Sequence, residues 1–223
     1  SAGQPGEPIY YEVDVLRDGR TFCSRKVIAR QGSRVLIELN ASFCKEKAGL
    51  NFDTTKPLDF DGLPSPEELP RYTELMAAQD PLPFREDWAL EERGLDVRVV
   101  NAPWAERGPS KDGGIRMWIR ADGELQSKPS LHAAILAYQS DESLADNVLT
   151  PFQLTWNSPN VFMVSLDHAL WFHRPVDLNN WHFVEQWPVC VALERGVASG
   201  YVWNNRGGLV ASFSQEALVR VLD

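Results

Sequence analysis

Pro129-Ser130-Leu131-His132-Ala133-Ala134-Ile135-Leu136-Ala137-Tyr138 is the stretch on which the fold turns. Leu131, Ala134, Ile135 and Tyr138 recur at i, i+3, i+4 and i+7, the period of a helix. Pro129 suits the first turn, where its missing N–H costs nothing. Ala133, Leu136 and Ala137 make the opposite side apolar as well, so the pattern predicts a buried helix. Its alanines suit close approach to a sheet that wraps it. Strands are expected on both sides. Before the helix they are Val97 to Val100 and Ile115 to Arg120. After it they are one long strand from Val161 to His173, then Trp181 to Leu193, Gly196 to Asn204 and Leu209 to Val221.

The start of the chain reads as a second β unit. Tyr11, Val13 and Val15 alternate with polar neighbours, Asp18-Gly19 supplies a turn, and a strand follows from about Thr21 to Arg30. Gln31-Gly32-Ser33 turns again, and Val35, Ile37, Leu39, Ala41 and Phe43 alternate once more, giving a meander with one apolar face. Arg20-x3-Ser24-x2-Val27 matches Arg195-x3-Ser199-x2-Val202, so residues 8–44 and 180–217 read as two copies of one unit. Between the units, Pro57, Pro64, Pro66, Pro70, Pro81 and Pro83 exclude strands and leave a linker with one short helix near Glu67 to Gln79. The expected division is 1–50, a linker over 51–93, and 94–223.

Acids outnumber bases 31 to 22, a net charge of -9, which repels phosphate backbones and anionic lipid. Nucleic acid and membranes are therefore not expected as partners. No apolar run approaches the roughly 20 residues of a membrane-spanning helix. Cys23, Cys44 and Cys190 form no paired framework, which favours a reduced compartment. The cytoplasm is expected, with the peroxisome as the alternative, although Val221-Leu222-Asp223 is not a Ser-Lys-Leu type address. The first residues are polar and read as loop rather than signal peptide.

Several familiar sites are absent from the sequence. There is no phosphate-binding Gly-x-x-x-x-Gly-Lys loop, no Gly-x-Gly-x-x-Gly, and no Gly-x-Ser-x-Gly elbow. On one continuous strand His168 and His173 would face opposite ways, so Asp167, His168 and His173 read as structural or hydrogen-bonded groups rather than metal ligands.

Leu166-Asp167-His168-Ala169-Leu170-Trp171-Phe172-His173-Arg174-Pro175 resembles the signature of the acyl-CoA thioesterase II (TesB-like) family. Leu16-Arg17-Asp18-Gly19-Arg20-Thr21-Phe22, Met117-Trp118-Ile119-Arg120, Tyr138-x-Ser140-Asp141 and Ser214-Gln215-Glu216-Ala217 follow in the family's order. The resemblance spans essentially the whole chain and implies an α+β double hotdog, two antiparallel sheets each wrapped round a central helix. The first unit would lack its opening strand and helix, leaving an apolar face that a homo-oligomer or a complementing chain would cover. The implied activity is hydrolysis of acyl-CoA to free acid and coenzyme A, with no cofactor. The implied catalytic residues are Asp141, Ser165 (where some members have Thr) and Gln215, holding one water. A thioester carbonyl is electrophilic enough for direct attack, so a base and two orienting groups suffice. Arg116 and Arg174 are candidates for the coenzyme A phosphates. The repeat puts Asn40 or Ala41 where the second copy has Gln215, so one catalytic set is expected per double unit. The rival readings are a catalytically silent acyl-CoA-binding or assembly hotdog and a dehydratase. The latter would want an Asp–His pair, and the spacing shows none beside Asp141.

Overall fold

The computed structural model describes residues 2–53, 58–80, 90, 93–102, 104–105, 108 and 113–222. Pro57, Pro81 and Pro83 lie outside them. The chain forms two compact units that part between Phe52 and Asp53.

The first unit is a meander of β1 (Tyr10–Asp18), β2 (Phe22–Gln31) and β3 (Arg34–Cys44), in that order and antiparallel. The register stacks Val13 on Val27 and Val27 on Leu39, with Tyr11, Ala29 and Ile37 beside them. The alternation thus gathers its apolar residues on one face, as a period of two requires. Val13 and Ile37 remain largely exposed on that face.

The second unit is a seven-stranded antiparallel sheet with one long helix. Its strands are β4 (Leu95–Asn101), β5 (Ile115–Ala121), β6 (Val161–Ser165), β7 (Ala169–Phe172), β8 (His182–Ala192), β9 (Arg195–Asn204) and β10 (Leu209–Val221). They lie in the order β4-β5-β8-β9-β10-β6, with β7 also pairing β10. Ile115, Met117, Ile119, Val184 and Val202 point to the helix side and build the main core with Leu136. Their neighbours Trp118, Phe183 and Trp203 point outward into a second apolar cluster.

That second cluster explains the proline-rich stretch. Leu58, Phe60, Leu63 and Leu69 pack against the outward rings, and Trp118 donates its indole N–H to the Pro64 carbonyl at 3.1 Å. What reads as a linker is, from Leu58 to Leu69, the cover of the outer sheet face. The expected single helix is two pieces. A 3-10 turn at Pro66–Glu68 and α1 (Tyr72–Ala77) are separated by Pro70, which lacks the N–H needed to continue a helix. Gly207 anchors the cover. It adopts φ +75, accepts the Leu58 N–H at 2.9 Å, and would place a Cβ 2.4 Å from the Leu58 carbonyl oxygen.

The long helix α2 (Pro129–Glu142) buries Leu136, His132, Gln139 and Ser140 against the sheet. The expectation of a buried helix is corrected on one side, because Ala134 and Tyr138 are exposed, Tyr138 at 64%. His132 is tied down as a neutral ring. Its Nδ1 accepts the Leu178 N–H at 3.1 Å, and Nε2 then donates to the Gln126 carbonyl at 3.1 Å. Beyond the helix, the wholly buried Asn147 accepts the Ile115 N–H and donates to Gln186 Oε1, each at 3.0 Å, joining the helix end to β5 and β8.

Candidate active site

The expected strand from Val161 to His173 is broken, and the break builds the site. Ser165 pairs with Ala217 and Ala169 pairs with Ser214, so Leu166, Asp167 and His168 stand opposite only Gln215 and Glu216. The surplus residue is accommodated as an arch rather than a slipped register. Asp167 Oδ1 accepts the Glu216 N–H at 2.8 Å and takes the place of a strand carbonyl. Leu166 donates its N–H to the Glu216 carbonyl at 2.8 Å.

Gln215, on β10 and 2% exposed, joins the predicted residues. Its Nε2 lies 2.6 Å from Asp141 Oδ1 and 2.7 Å from Ser165 Oγ. Asp141 comes from the last turn of α2 and Ser165 from the end of β6. A carboxylate can only accept, so the amide must present its nitrogen to Asp141. Ser165 Oγ then accepts the second N–H and keeps its own O–H to donate. Gln215 Oε1, turned into the core, has no hydrogen-bond partner among the described residues.

Sequence reasoning missed His168. Its Nδ1 lies 3.8 Å from Asp141 Oδ1, so an Asp–His pair does stand beside Asp141, contrary to the expectation from spacing. The strand break is what brings the ring round, and five-residue arithmetic along a continuous strand could not show it. Ser140 Oγ donates to the Ala137 carbonyl at 2.9 Å and meets His168 Nε2 at 2.9 Å. Ser140 has a single hydroxyl proton, so it must accept from His168, which fixes the Nε2–H tautomer. Burial lowers the His168 pKa, and nearby Asp141 opposes that shift. His173 is elsewhere, its Nε2 2.9 Å from Ser212 Oγ. Among the described residues no cluster of His, Cys, Asp and Glu could hold a metal ion.

Asp141 and Ser165 line a cavity of about 510 Å³. Val97, Val99, Ile115 and Met117 form its sheet side, and Tyr72, Trp104 and Trp156 add aromatic walls. Glu142 and Arg93 line it as a largely buried ion pair, with the Arg93 guanidinium 5.1 Å over the Tyr72 ring. Trp156 donates its indole N–H to Asp146, whose carboxyl burial pushes up to about 7.

Arg116 and Arg174 are not brought to the cavity. Arg116 pairs with Glu185 at 2.8 Å, and Arg174 binds both oxygens of Asp53 at 3.0 Å. The register also corrects the expected counterpart of Gln215 in the first unit. Ala198 pairs with Gln215 where Cys23 pairs with Phe43, so Phe43, not Asn40 or Ala41, holds that place. It has no amide, and the first unit repeats the strands without the trio.

The comparisons agree with this architecture. Residues 66–219 match the acyl-CoA thioesterase C-terminal domain model, and residues 1–44 the corresponding N-terminal domain model. The chain is 30% identical over 224 residues to acyl-CoA thioesterase 2 of Haemophilus influenzae, covering 97% of this chain and 76% of that protein. Its fold is similar to the acyl-CoA thioesterase II TesB2 of Mycobacterium marinum, with TM-score 0.76, 28% identity, and coverage of 99% of this chain and 77% of that one. A hotdog-fold protein from Alicyclobacillus acidocaldarius, 18% identical, shares the fold with TM-score 0.70 over 96% of this chain and 73% of that one. A double hotdog of this sequence is a thioester hydrolase, and the chain belongs to the TesB-like acyl-CoA thioesterase II family.

Proposed function

We propose that the chain hydrolyses acyl-CoA with a water held between Asp141 and Ser165, which the Gln215 amide orients by fixing both. The observation that carries this reading is the single Gln215 amide that ties Asp141 to Ser165 at 2.6 and 2.7 Å on the wall of a largely apolar cavity. Fixing both partners through one buried side chain removes the entropy of assembling them for each turnover. The acyl chain lies in the cavity with its thioester carbonyl beside Asp141.

Asp141 accepts a proton from the water as the water oxygen bonds to the carbonyl carbon. The carbonyl π pair moves to oxygen, then returns as the carbon–sulfur bond breaks and its electrons leave on the coenzyme A sulfur. Asp141 returns its proton to that sulfur, so thioester and water yield acid and thiol. Ser165, whose lone pair is occupied by Gln215, donates its O–H to the water oxygen or to the developing oxyanion. His168 faces the same carboxylate through a ring nitrogen without a proton, which keeps a cation from forming an ion pair with the base.

Coenzyme A release from decanoyl-CoA tests the reading. Asp141→Asn keeps the shape and the Gln215 contact but removes the base, and kcat is expected to fall by about 10²–10⁴. An Asp141→Asn protein as fast as the parent overturns the assignment of the base. A folded parent that binds acyl-CoA without turnover overturns the reading in favour of a silent binding module.

A further inference from the structure

His168 and Asp141 face each other as two acceptors with no donor between them. With its Nε2–H given to Ser140, the ring turns an unprotonated Nδ1 toward Asp141 Oδ1, 3.8 Å away. That is too far for a hydrogen bond, and neither this nitrogen nor a carboxylate oxygen has a proton to make one. Gln215 cannot supply it, because its two amide N–H groups are spent on Asp141 and Ser165. Nδ1 therefore makes no hydrogen bond among the described residues. Two lone pairs aimed into one gap repel each other unless a molecule with two donors fills it. The gap is open to solvent, since the His168 side chain is 22% exposed and that of Asp141 58%.

A water fits this gap. Set about 2.8 Å from each atom, it sees them about 85° apart, close enough to its own bond angle for both hydrogen bonds to stay near linear. With both protons held, the oxygen keeps two lone pairs. One accepts the Ser165 O–H, and the other is left for the carbonyl carbon. All four directions of the water are then assigned, whereas Asp141 and Ser165 alone leave one O–H free to turn. The ring is itself held, by Ser140 at Nε2 and by Phe213 of β10, whose ring centroid lies 6.4 Å away. Asp141 and Ser165 line the acyl cavity and His168 does not. The ring thus flanks Asp141 beyond the acyl chain, where thioester and water meet.

Resting on the hydrolase reading, we propose that His168 is a further catalytic residue, its Nδ1 accepting a hydrogen bond from the second O–H of the attacking water. No proton is transferred to the ring, and Asp141 remains the base. The ring serves only while neutral. The charged groups that face it are Asp141 from α2 and Asp167 in the arch, while β10 offers the uncharged Gln215 amide and the Phe213 ring. A protonated ring would donate Nδ1–H toward Asp141, hold the base in an ion pair and take the place of the water.

The test follows decanoyl-CoA hydrolysis against pH for the full chain, His168→Asn and His168→Phe. Asparagine puts an amide oxygen near the place of Nδ1 and does not titrate. Phenylalanine keeps a ring without an acceptor. At pH 8, His168→Phe is expected to lose about tenfold in kcat with KM unchanged, the worth of one hydrogen bond, and His168→Asn to stay within about threefold of the parent. In acid, the parent should lose kcat/KM along the His168 titration followed by nitrogen NMR, and His168→Asn should stay active to lower pH. A His168→Phe protein as fast as the parent overturns the inference and leaves the hydrolase reading intact. So does an equal loss in both variants with the acid limb unmoved, the mark of a merely structural ring. A parent that hydrolyses no acyl-CoA overturns the hydrolase reading and this inference with it. If a variant does not fold, a high-resolution crystal structure of the parent at pH 8 decides. A water bonded to both Nδ1 and Asp141 Oδ1 supports the inference, and a dry gap or a direct hydrogen bond between the two defeats it.

Discussion

Gly200→Ala tests how closely the sheet is packed behind the site. Gly200 lies in β9, and a Cβ there would stand 2.4 Å from Phe213 Cζ, 2.8 Å from Phe213 Cε2 and 2.8 Å from the Glu185 carbonyl oxygen. Phe213 is 1% exposed, so its ring has no open side to move into. The Glu185 carbonyl belongs to β8, where Gln186 pairs with Gly200 itself, so it cannot retreat without loosening the ladder. One added methyl in a close-packed core costs about 1–3 kcal/mol. The loss of glycine's unfolded-state freedom returns about 0.4–1 kcal/mol. Because one of the clashes is with backbone, the net expected is about 2 kcal/mol of destabilisation. For a protein of this size that lowers Tm by about 4–8 °C, read by circular dichroism. Phe213→Leu in the same chain should relieve the clash, giving a coupling of about 1–2 kcal/mol in a double-mutant cycle. A Gly200→Ala protein melting within a degree of the parent, or strict additivity with Phe213→Leu, would refute the reasoning.

Three further outcomes are expected. Gln215→Leu should cut kcat about 10²–10³-fold while melting no lower than the parent, because it also removes the unpartnered Oε1; a lower Tm with activity retained would reverse both statements. Asp146 titrates near 7 in the fold against 3.8 for the free carboxyl, so its stabilising contribution is complete below 3.8 and lost as pH rises through about 7. Asp146→Asn should accordingly match the parent in Tm at pH 4 and exceed it at pH 8, and parallel Tm profiles would contradict this. The folded His168 ring sits below its ordinary 6.5, so the unfolded chain protonates first and acidification below about 6.5 costs stability. Nitrogen NMR should show the neutral Nε2–H tautomer at pH 7; an Nδ1–H ring would disprove the Ser140 argument.

Much of the second unit was legible because its residues obey one period at a time. β10 runs from Leu209 to Val221 as the alternation predicts, and α2 begins at Pro129 as its proline predicts. The proline-rich stretch misleads because proline excludes strands but says nothing about burial. Leu58, Phe60 and Leu63 are scattered, and only the outward rings of Trp118 and Phe183 show that they have somewhere to pack. Asp141, Ser165 and Gln215 were named through a family resemblance, since three ordinary polar residues 24 and 50 positions apart carry no local signal. His168 was missed for a different reason. Its orientation depends on a surplus residue opposite β10, and a count along β6 and β7 alone cannot register a mismatch with a partner strand.

The arch of Leu166, Asp167 and His168 also separates reactivity from architecture. It is moored at both feet to the same strand, and with Asp167 kept as a rung to Glu216 the ladders on either side hold whatever side chains stand at 166 and 168. A protein engineer could therefore exchange His168, swapping an imidazole for a hydroxyl or an amide next to the base, and alter the reaction medium without redrawing the sheet. The surroundings of the base thus ride on an exchangeable span, while Asp141, Ser165 and Gln215 stay seated on the helix and strands beside it.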